Sequence, residues 1–189
     1  RLSLLGSLYR IDGQYQKNVE VCLNALEIAE TDSVSVPISL RKMLYNNLSV
    51  AYTDISDKDL ALKSINKAID LGRSMAIEDG QNPDDPKSLL WPVTECGNLA
   101  DLYIDSKDYE SANRILQDCL TFYKHNYPTS SRLKNIYYSL MYVAEVSNDF
   151  EEMRMWANES YNQSLSAYLS QSHGMTKIQR TDFWRKMDS

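Results

Sequence analysis

The 189-residue chain is poor in residues that break helices: it has 6 glycines and 5 prolines, while 43% of its residues are hydrophobic. All-β proteins and disordered chains use glycine and proline heavily, so this composition favours helices around a packed core. The formal charge of −6 argues against nucleic acid as a partner, because phosphate binding needs a basic face. No apolar run approaches the roughly 18 residues of a membrane span, so no membrane association is predicted.

The three cysteines, Cys22, Cys96 and Cys119, lack the spacing of a zinc or redox site. We predict that they are small buried apolar side chains in a reducing compartment, which gives a cytoplasmic location. No metal and no cofactor is predicted.

Four segments of the chain share one spacing of small, aromatic and apolar residues. Successive segments are offset by 43, 51 and 41 positions. The matching residues are Gly6, Ser49, Ala100 and Met141; Tyr9, Tyr52, Tyr103 and Ala144; and Asn18, Ala61, Ala112 and Met153. The spacing is constant within a segment and varies between segments, which is typical of a repeat array.

Each segment is predicted to form two helices joined by a short polar turn. Apolar residues recur every three or four positions on both sides of that turn, so they share one helical face. Asp57, Asp108 and Asp149 stand where a carboxylate caps the second helix. In chain order, the units are predicted to span about 1–30, 37–75, 86–124 and 129–171, and we expect residues 172–189 to form a C-terminal linker helix leading to a missing downstream domain.

The longest connection between units contains most of the prolines. Asn82-Pro83-Asp84-Asp85-Pro86 predicts a turn that starts a new helix, with Asp85 as its cap and Pro86 at its first position. Pro92 would then kink or restart this helix.

The four units resemble tetratricopeptide repeats. The resemblance is carried by Leu5-Gly6-x-x-Tyr9 and Gly13-x-Tyr15 in the first unit, and by Leu99-Ala100-x-x-Tyr103 and Lys107-Asp108-Tyr109 in the third. The usual period is about 34 residues, so these longer steps indicate the long-repeat variety found in kinesin light chains and bacterial arrays. The resemblance implies an all-α superhelical solenoid of about four helix pairs plus a C-terminal helix.

In such arrays the first helix of each pair lines a concave groove that binds a peptide or a protein. Carried onto this chain, the resemblance gives a polar, acidic lining. The strongest candidates for this lining are Met43, Asn46, Asn47, Val50, Asp54, Asn98, Asp101, Asp105, Tyr138, Tyr142 and Glu145. Further candidates are Ser3, Ser7, Arg10, Thr94 and Asn135. Acidic residues favour a basic or mixed polar and apolar partner. Two alternatives stay open. The acidic residues of this lining form a solvated helical face, and Tyr138 and Tyr142 are covered by a further repeat.

No catalytic motif is present, so the chain itself is predicted not to be an enzyme. The tail phrase Met175-Thr176-x-x-Gln179-Arg180-x-x-Phe183-Trp184 resembles the segment that joins tetratricopeptide arrays to CHAT domains, which are caspase-like peptidase modules, in bacterial proteins. We therefore expect an interaction module within a larger bacterial protein. The alternatives are an intramolecular arm that controls a downstream CHAT peptidase and, more remotely, an enzyme with an unrecognised site.

Overall fold

The computed structural model describes residues 2–31, 36–171, 174–176, 178–179 and 181. The side chains of residues 2–4, 7, 167, 170 and 171 are outside the description. Within residues 2–31 and 36–171 the chain forms eight α-helices: α1 (Leu2–Ile11), α2 (Tyr15–Thr31), α3 (Ile38–Asp54), α4 (Lys58–Glu78), α5 (Val93–Asp105), α6 (Tyr109–Asn126), α7 (Arg132–Val146) and α8 (Phe150–Gln171). No described helix is long and apolar enough to span a bilayer.

The chain divides into two compact units, Arg1–Asn126 and Tyr127–Ser189, and each is described by itself. In the first unit, α1 packs on α2, α3 on α4 and α5 on α6, which gives three helix pairs. The pairs are stacked because α2 also packs on α3, and α4 on α5. The helix α3 contacts both α1 and α5, so the first helices of the three pairs lie side by side.

The predicted two-helix units and their aspartate caps are confirmed in the described pairs. A carboxylate oxygen of Asp57 accepts a hydrogen bond from the Leu60 amide at 3.1 Å. Asp108 caps α6 through Ser111, and Asp149 caps α8 through Glu152. Each bond satisfies an amide that has no partner within its own helix.

The turn between paired helices has the same backbone conformation in all four pairs. Its central residue has a positive φ: 72° at Gly13, 62° at Ser56, 63° at Lys107 and 58° at Asn148. The next amide reaches back five residues to a helix carbonyl, as from Asp57 to Tyr52 at 2.9 Å. This bond defines a Schellman motif, in which glycine is the least strained central residue. Three pairs therefore carry a strained residue where the first carries glycine.

Small side chains allow close packing within the first three pairs. In the second pair Ser49 and Ala61 are buried at the helix crossing, and Ala100 and Ala112 are their counterparts in the third. In the first pair the buried Asn18 replaces alanine. Gly6 compensates for it, because a Cβ atom there would lie 2.6 Å from Asn18 Oδ1.

The helix predicted to begin at Pro86 is absent, and this prediction was wrong. Residues 83–91 form turns and bends, and α5 begins at Val93. Asp85 accepts a hydrogen bond from the Lys87 amide at 2.9 Å, so it closes a local turn and caps no helix. Trp91 is buried, with its ring 6.1 Å from that of Phe122. Burial of this indole fixes the connection against the third pair.

The second unit is built around α7 and α8. The fully buried Tyr137 lies with its ring 6.3 Å from that of Trp156, and the indole donates a hydrogen bond to Glu152 at 3.2 Å. Beyond α8, Thr176 and Gln179 exchange two hydrogen bonds, of 2.9 and 3.3 Å. These bonds form the capping box predicted from the sequence. Most of the predicted C-terminal helix lies outside the described residues.

Candidate functional site

A cleft of about 210 Å³ opens on the side of the first unit where the first helices lie next to each other. It is named here the interhelix cleft. The lining comes from α1, α3 and α5: Arg10, Ser49, Val50, Thr53, Asp54, Asn98, Asp101 and Leu102. Four of the strongest sequence candidates are therefore brought together: Val50, Asp54, Asn98 and Asp101.

One end of the cleft is closed by an ion pair. Arg10 donates two hydrogen bonds to the Asp54 carboxylate, from Nε at 2.6 Å and from Nη2 at 3.1 Å. The hydrogen bond that Arg10 donates to Asp54 raises the pKa of Arg10 above its ordinary value. A bidentate pair of this kind fixes geometry as well as charge, so it ties the end of α1 to the end of α3. The negative charge of Asp54 is neutralised within the protein.

An amide pair bridges α3 and α5 beside the cleft. Asn98 Nδ2 donates to Asn46 Oδ1 at 2.7 Å, and both side chains are half-buried. A carboxamide has two donor hydrogens and an acceptor oxygen. The pair therefore keeps the capacity to donate to and accept from the backbone of an extended ligand.

The α5 side of the cleft carries a negative charge. Among the described residues, Asp101 has no ion-pair partner. Partial removal from water, followed by the nearby charge of Asp105, raises its pKa above the ordinary value. The Asp105 backbone carbonyl accepts a hydrogen bond from Lys58 Nζ at 2.5 Å, while its carboxylate is exposed. A cation bound here would relieve the repulsion between the two acids.

The remaining candidates on α3 and α5 are dispersed along these helices. Met43 and Thr94 are exposed, and Asn47 is half-buried and interacts with another group. The side chains of Ser3 and Ser7 lie outside the described residues. Sequence reasoning did not select Ser49, Thr53 or Leu102, which also line the cleft. Their positions three or four residues from Asn46, Val50 and Asn98 were the available signal.

The candidates on α7 belong to the second unit. Tyr138 and Tyr142 are exposed one helical turn apart, and Asn135 and Glu145 are exposed on the same helix. The Lys134 ammonium lies 5.9 Å from the centre of the Tyr138 ring, which is a cation–π distance. An exposed aromatic pair that already accepts one cation is suited to contact a basic side chain.

The cysteines are buried and unpaired with each other, as predicted. Burial raises the pKa of Cys22, and it raises the pKa of Cys96 to about 12. A thiol with a raised pKa is a poor nucleophile. Within the described part of the chain, no three His, Cys, Asp or Glu side chains are grouped so as to hold a metal ion.

Family models of the tetratricopeptide repeat match residues 44–73 and 96–128. These segments lie mainly on α3 with α4, and on α5 with α6. No curated protein matches the sequence.

Solved structures share the fold. The crystal structure of BtubC (BKLC) from P. vanneervenii is similar with a TM-score of 0.72 and 18% identity over 87% of this chain, and the match spans 62% of that chain. A putative kinesin light chain from Podosopora anserina with nearly identical TPR-like repeats gives a TM-score of 0.65 and 12% identity, over 93% of this chain and 76% of that one. These identities establish the fold alone.

The predicted all-α repeat solenoid is therefore confirmed. The chain contains tetratricopeptide repeats in its second and third helix pairs, and its fold is similar to that of kinesin light chain-like repeat arrays.

Proposed function

We propose that the interhelix cleft binds an extended segment of a partner protein that carries a basic side chain. Tetratricopeptide repeats indicate a protein-interaction scaffold, and the residues that line the cleft support a proposal about the kind of segment it binds. The observation that carries it is Asp101, an acid with no cationic partner among the described residues, beside an amide pair suited to hold a peptide backbone. Asp101 and Asp105 are both exposed, and their like charges repel each other. A bound cation reduces that repulsion.

The ion pair formed by Arg10 restricts where a basic side chain of a partner can bind. Arg10 is the cation in the lining of the cleft, and it is paired with Asp54. A partner lysine or arginine therefore binds at Asp101, on the α5 side of the cleft. Electrostatic attraction of this type is screened by salt, so binding weakens as ionic strength rises.

Peptide display with the full chain as bait supplies the probe. We expect the selected peptides to be enriched in lysine and arginine, and the best one is then measured by fluorescence anisotropy. Asp101→Lys with Asp105→Lys should weaken its binding at least tenfold. The matched control is Asp59→Lys with Glu78→Lys, which makes the same change in net charge at exposed acids outside the cleft. Equal affinity of the two double variants would refute the assignment.

A second variant tests the role of the ion pair. Arg10→Gln frees the Asp54 carboxylate and removes a competing cation, so the basic peptide should bind several-fold more tightly. Unchanged or weaker binding would show that the peptide does not approach this cleft.

Two finer expectations stay predictions: a cytoplasmic bacterial setting, and control of a downstream CHAT domain. The capping box at Thr176 and Gln179 supports the start of a helix after the array, as a helical linker requires. The longer reading frame is the observation that tests the CHAT prediction.

A further inference from the structure

One face of α7 is exposed along most of the helix. Asn135, Tyr138, Tyr142 and Glu145 are all exposed on it, and they are named here the tyrosine stripe. Successive members are 3, 4 and 3 positions apart, which is the spacing of side chains that face a second helix in a coiled coil. The buried side chains of α7 pack against α8 within the second unit, so the tyrosine stripe is the face that a partner can reach.

The middle of the tyrosine stripe is aromatic. Tyr138 is 53% exposed and Tyr142 is 47% exposed, and the two rings lie one helical turn apart. A tyrosine buries a large apolar area in a contact and still forms a hydrogen bond through its hydroxyl. Aromatic residues are also enriched at the centre of protein interfaces. The pair therefore favours a protein as the occupant of this face.

The two ends of α7 carry opposite charges, and the helix dipole disfavours both. Arg132 and Lys134 lie in the first turn and Glu145 lies in the last, and these are the charged residues of the helix. None of the three forms an ion pair with a described residue. Cations near a helix N-terminus and an acid near its C-terminus are unfavourable, because the dipole has the same sign there. A partner that brings the opposite charge to each end offsets this cost.

A second copy of α7 in the antiparallel direction brings those charges. In a two-fold dimer, two residues meet when they lie at equal distances on opposite sides of the axis. With the axis level with Leu140, Tyr138 meets the partner's Tyr142, and Asn135 meets the partner's Glu145. Each contact occurs twice, so the tyrosine stripe is complementary to itself.

The charges select the antiparallel direction. The partner's Glu145 lies beside the first turn of α7, where it meets Arg132, Lys134 and the positive end of the helix dipole. A parallel copy would place four cations together at one end and two acids together at the other, and such juxtaposed like charges repel.

We propose that the tyrosine stripe is the interface of an antiparallel homodimer with two-fold symmetry. The stripe is about 15 Å long, which is short for the buried area of about 1,200–2,000 Å² in a standard interface. The dimer therefore forms reversibly and is weak. It carries two interhelix clefts, which doubles the sites that the proposed function offers to a partner.

Sedimentation velocity of the full chain over a concentration series measures the dimer directly. We expect a reversible equilibrium between monomer and dimer. Arg132→Glu with Lys134→Glu places acids against the partner's Glu145, and Glu145→Lys places cations against the partner's first turn. Each of these two variants should weaken the dimer at least tenfold.

Matched controls make the same charge changes on another helix. Lys63→Glu with Lys67→Glu replaces two exposed cations of α4, and Glu78→Lys replaces an exposed acid of the same helix. Both should change the dissociation constant of the dimer less than twofold. An equal loss in the controls and in the α7 variants would overturn the assignment of the interface to α7.

An equal mixture of the two α7 variants is the decisive measurement. Each chain then supplies the charge that the other has lost, so a dimer of native strength should return. A mixture as weak as the separate variants would overturn the antiparallel pairing.

Two further outcomes bear on the rings and on the occupant. Tyr138→Ala with Tyr142→Ala should weaken the dimer at least tenfold, and an unchanged dissociation constant would overturn the aromatic contact. A chain that stays monomeric up to millimolar concentration would refute the dimer and leave this face to a further helix pair or to a different protein. Thermal unfolding verifies that each variant folds.

Discussion

The crossing of α1 and α2 at Gly6 offers a sharp test of how the repeat is packed. Gly6 is buried where α1 crosses α2. A Cβ atom at this position would lie 2.6 Å from Asn18 Oδ1 and 3.8 Å from Cys22 Sγ. Asn18 is itself only 5% exposed, so its side chain has little freedom to move away. Gly6→Ala therefore forces an overlap that the structure does not relieve.

The expected magnitude follows from two opposing effects. Alanine is favoured over glycine in a helix interior by about 1 kcal/mol. Overpacking a buried site of this kind costs about 2–3 kcal/mol. Gly6→Ala should thus lower the free energy of unfolding by about 1–2 kcal/mol. In an Asn18→Ala background the overlap disappears, and Gly6→Ala should raise the free energy of unfolding by about 1 kcal/mol. The coupling energy between the two positions is therefore about 2–3 kcal/mol.

Urea unfolding followed by far-ultraviolet circular dichroism measures all four members of this cycle. Gly97→Ala is the matched control, because Gly97 is also helical and an added Cβ atom there meets no atom within 4 Å. It should raise the free energy of unfolding by up to about 1 kcal/mol. A coupling energy below about 0.5 kcal/mol would refute the packing argument.

Three further predictions concern a turn, a buried ion pair and a titration. Lys107→Gly should raise the free energy of unfolding by about 1 kcal/mol and Gly13→Ala should lower it by a similar amount, because both positions have positive φ; urea unfolding measures both. Lys42 Nζ lies 3.1 Å from the buried Glu95 carboxylate, so Lys42→Met should cost about 3 kcal/mol, and Lys42→Arg much less. The raised pKa of Asp101 means that its stabilising contribution is present below the unfolded pKa and is lost as pH rises through the folded pKa. Asp101→Asn should therefore be more stable than the native chain at neutral pH, with the difference shrinking in acid, as thermal unfolding across pH would show.

Local features of the fold follow directly from the sequence. The turns between paired helices, the caps at Asp57, Asp108 and Asp149, and the capping box at Thr176 involve residues within five positions of each other. The helix that was wrongly predicted to begin at Pro86 was inferred from a similarly local pattern. Only five residues separate Pro86 from Pro92, which is too few for a stable helix. Burial of Trp91 then decided the conformation of this connection, and that contact was not visible in the sequence.

The charge of the candidate site depends on contacts between repeats. Arg10 and Asp54 are 44 positions apart, and their pairing depends on how α1 is rotated relative to α3. Both were candidates from the sequence, but only the structure shows that they neutralise each other. The amide bond from Asn98 to Asn46 is equally non-local. Periodicity in the sequence thus identifies which residues share one face of a helix. Which charges on that face remain unpaired depends on how the helix pairs stack.

The repeat register explains why the acids on α5 lack an ion-pair partner among the described residues. Asp105 occupies the repeat position of Asp54, and Thr53 occupies that of Arg10. The first pair supplies an arginine to the second, whereas the second supplies a threonine to the third. We therefore expect Thr53→Arg to pair with Asp105 and to weaken binding of the basic peptide several-fold, while Thr53→Met, of similar length but uncharged, has little effect. Anisotropy titrations at low salt measure both variants, and equal affinities would show that the charge of this repeat position does not govern recognition.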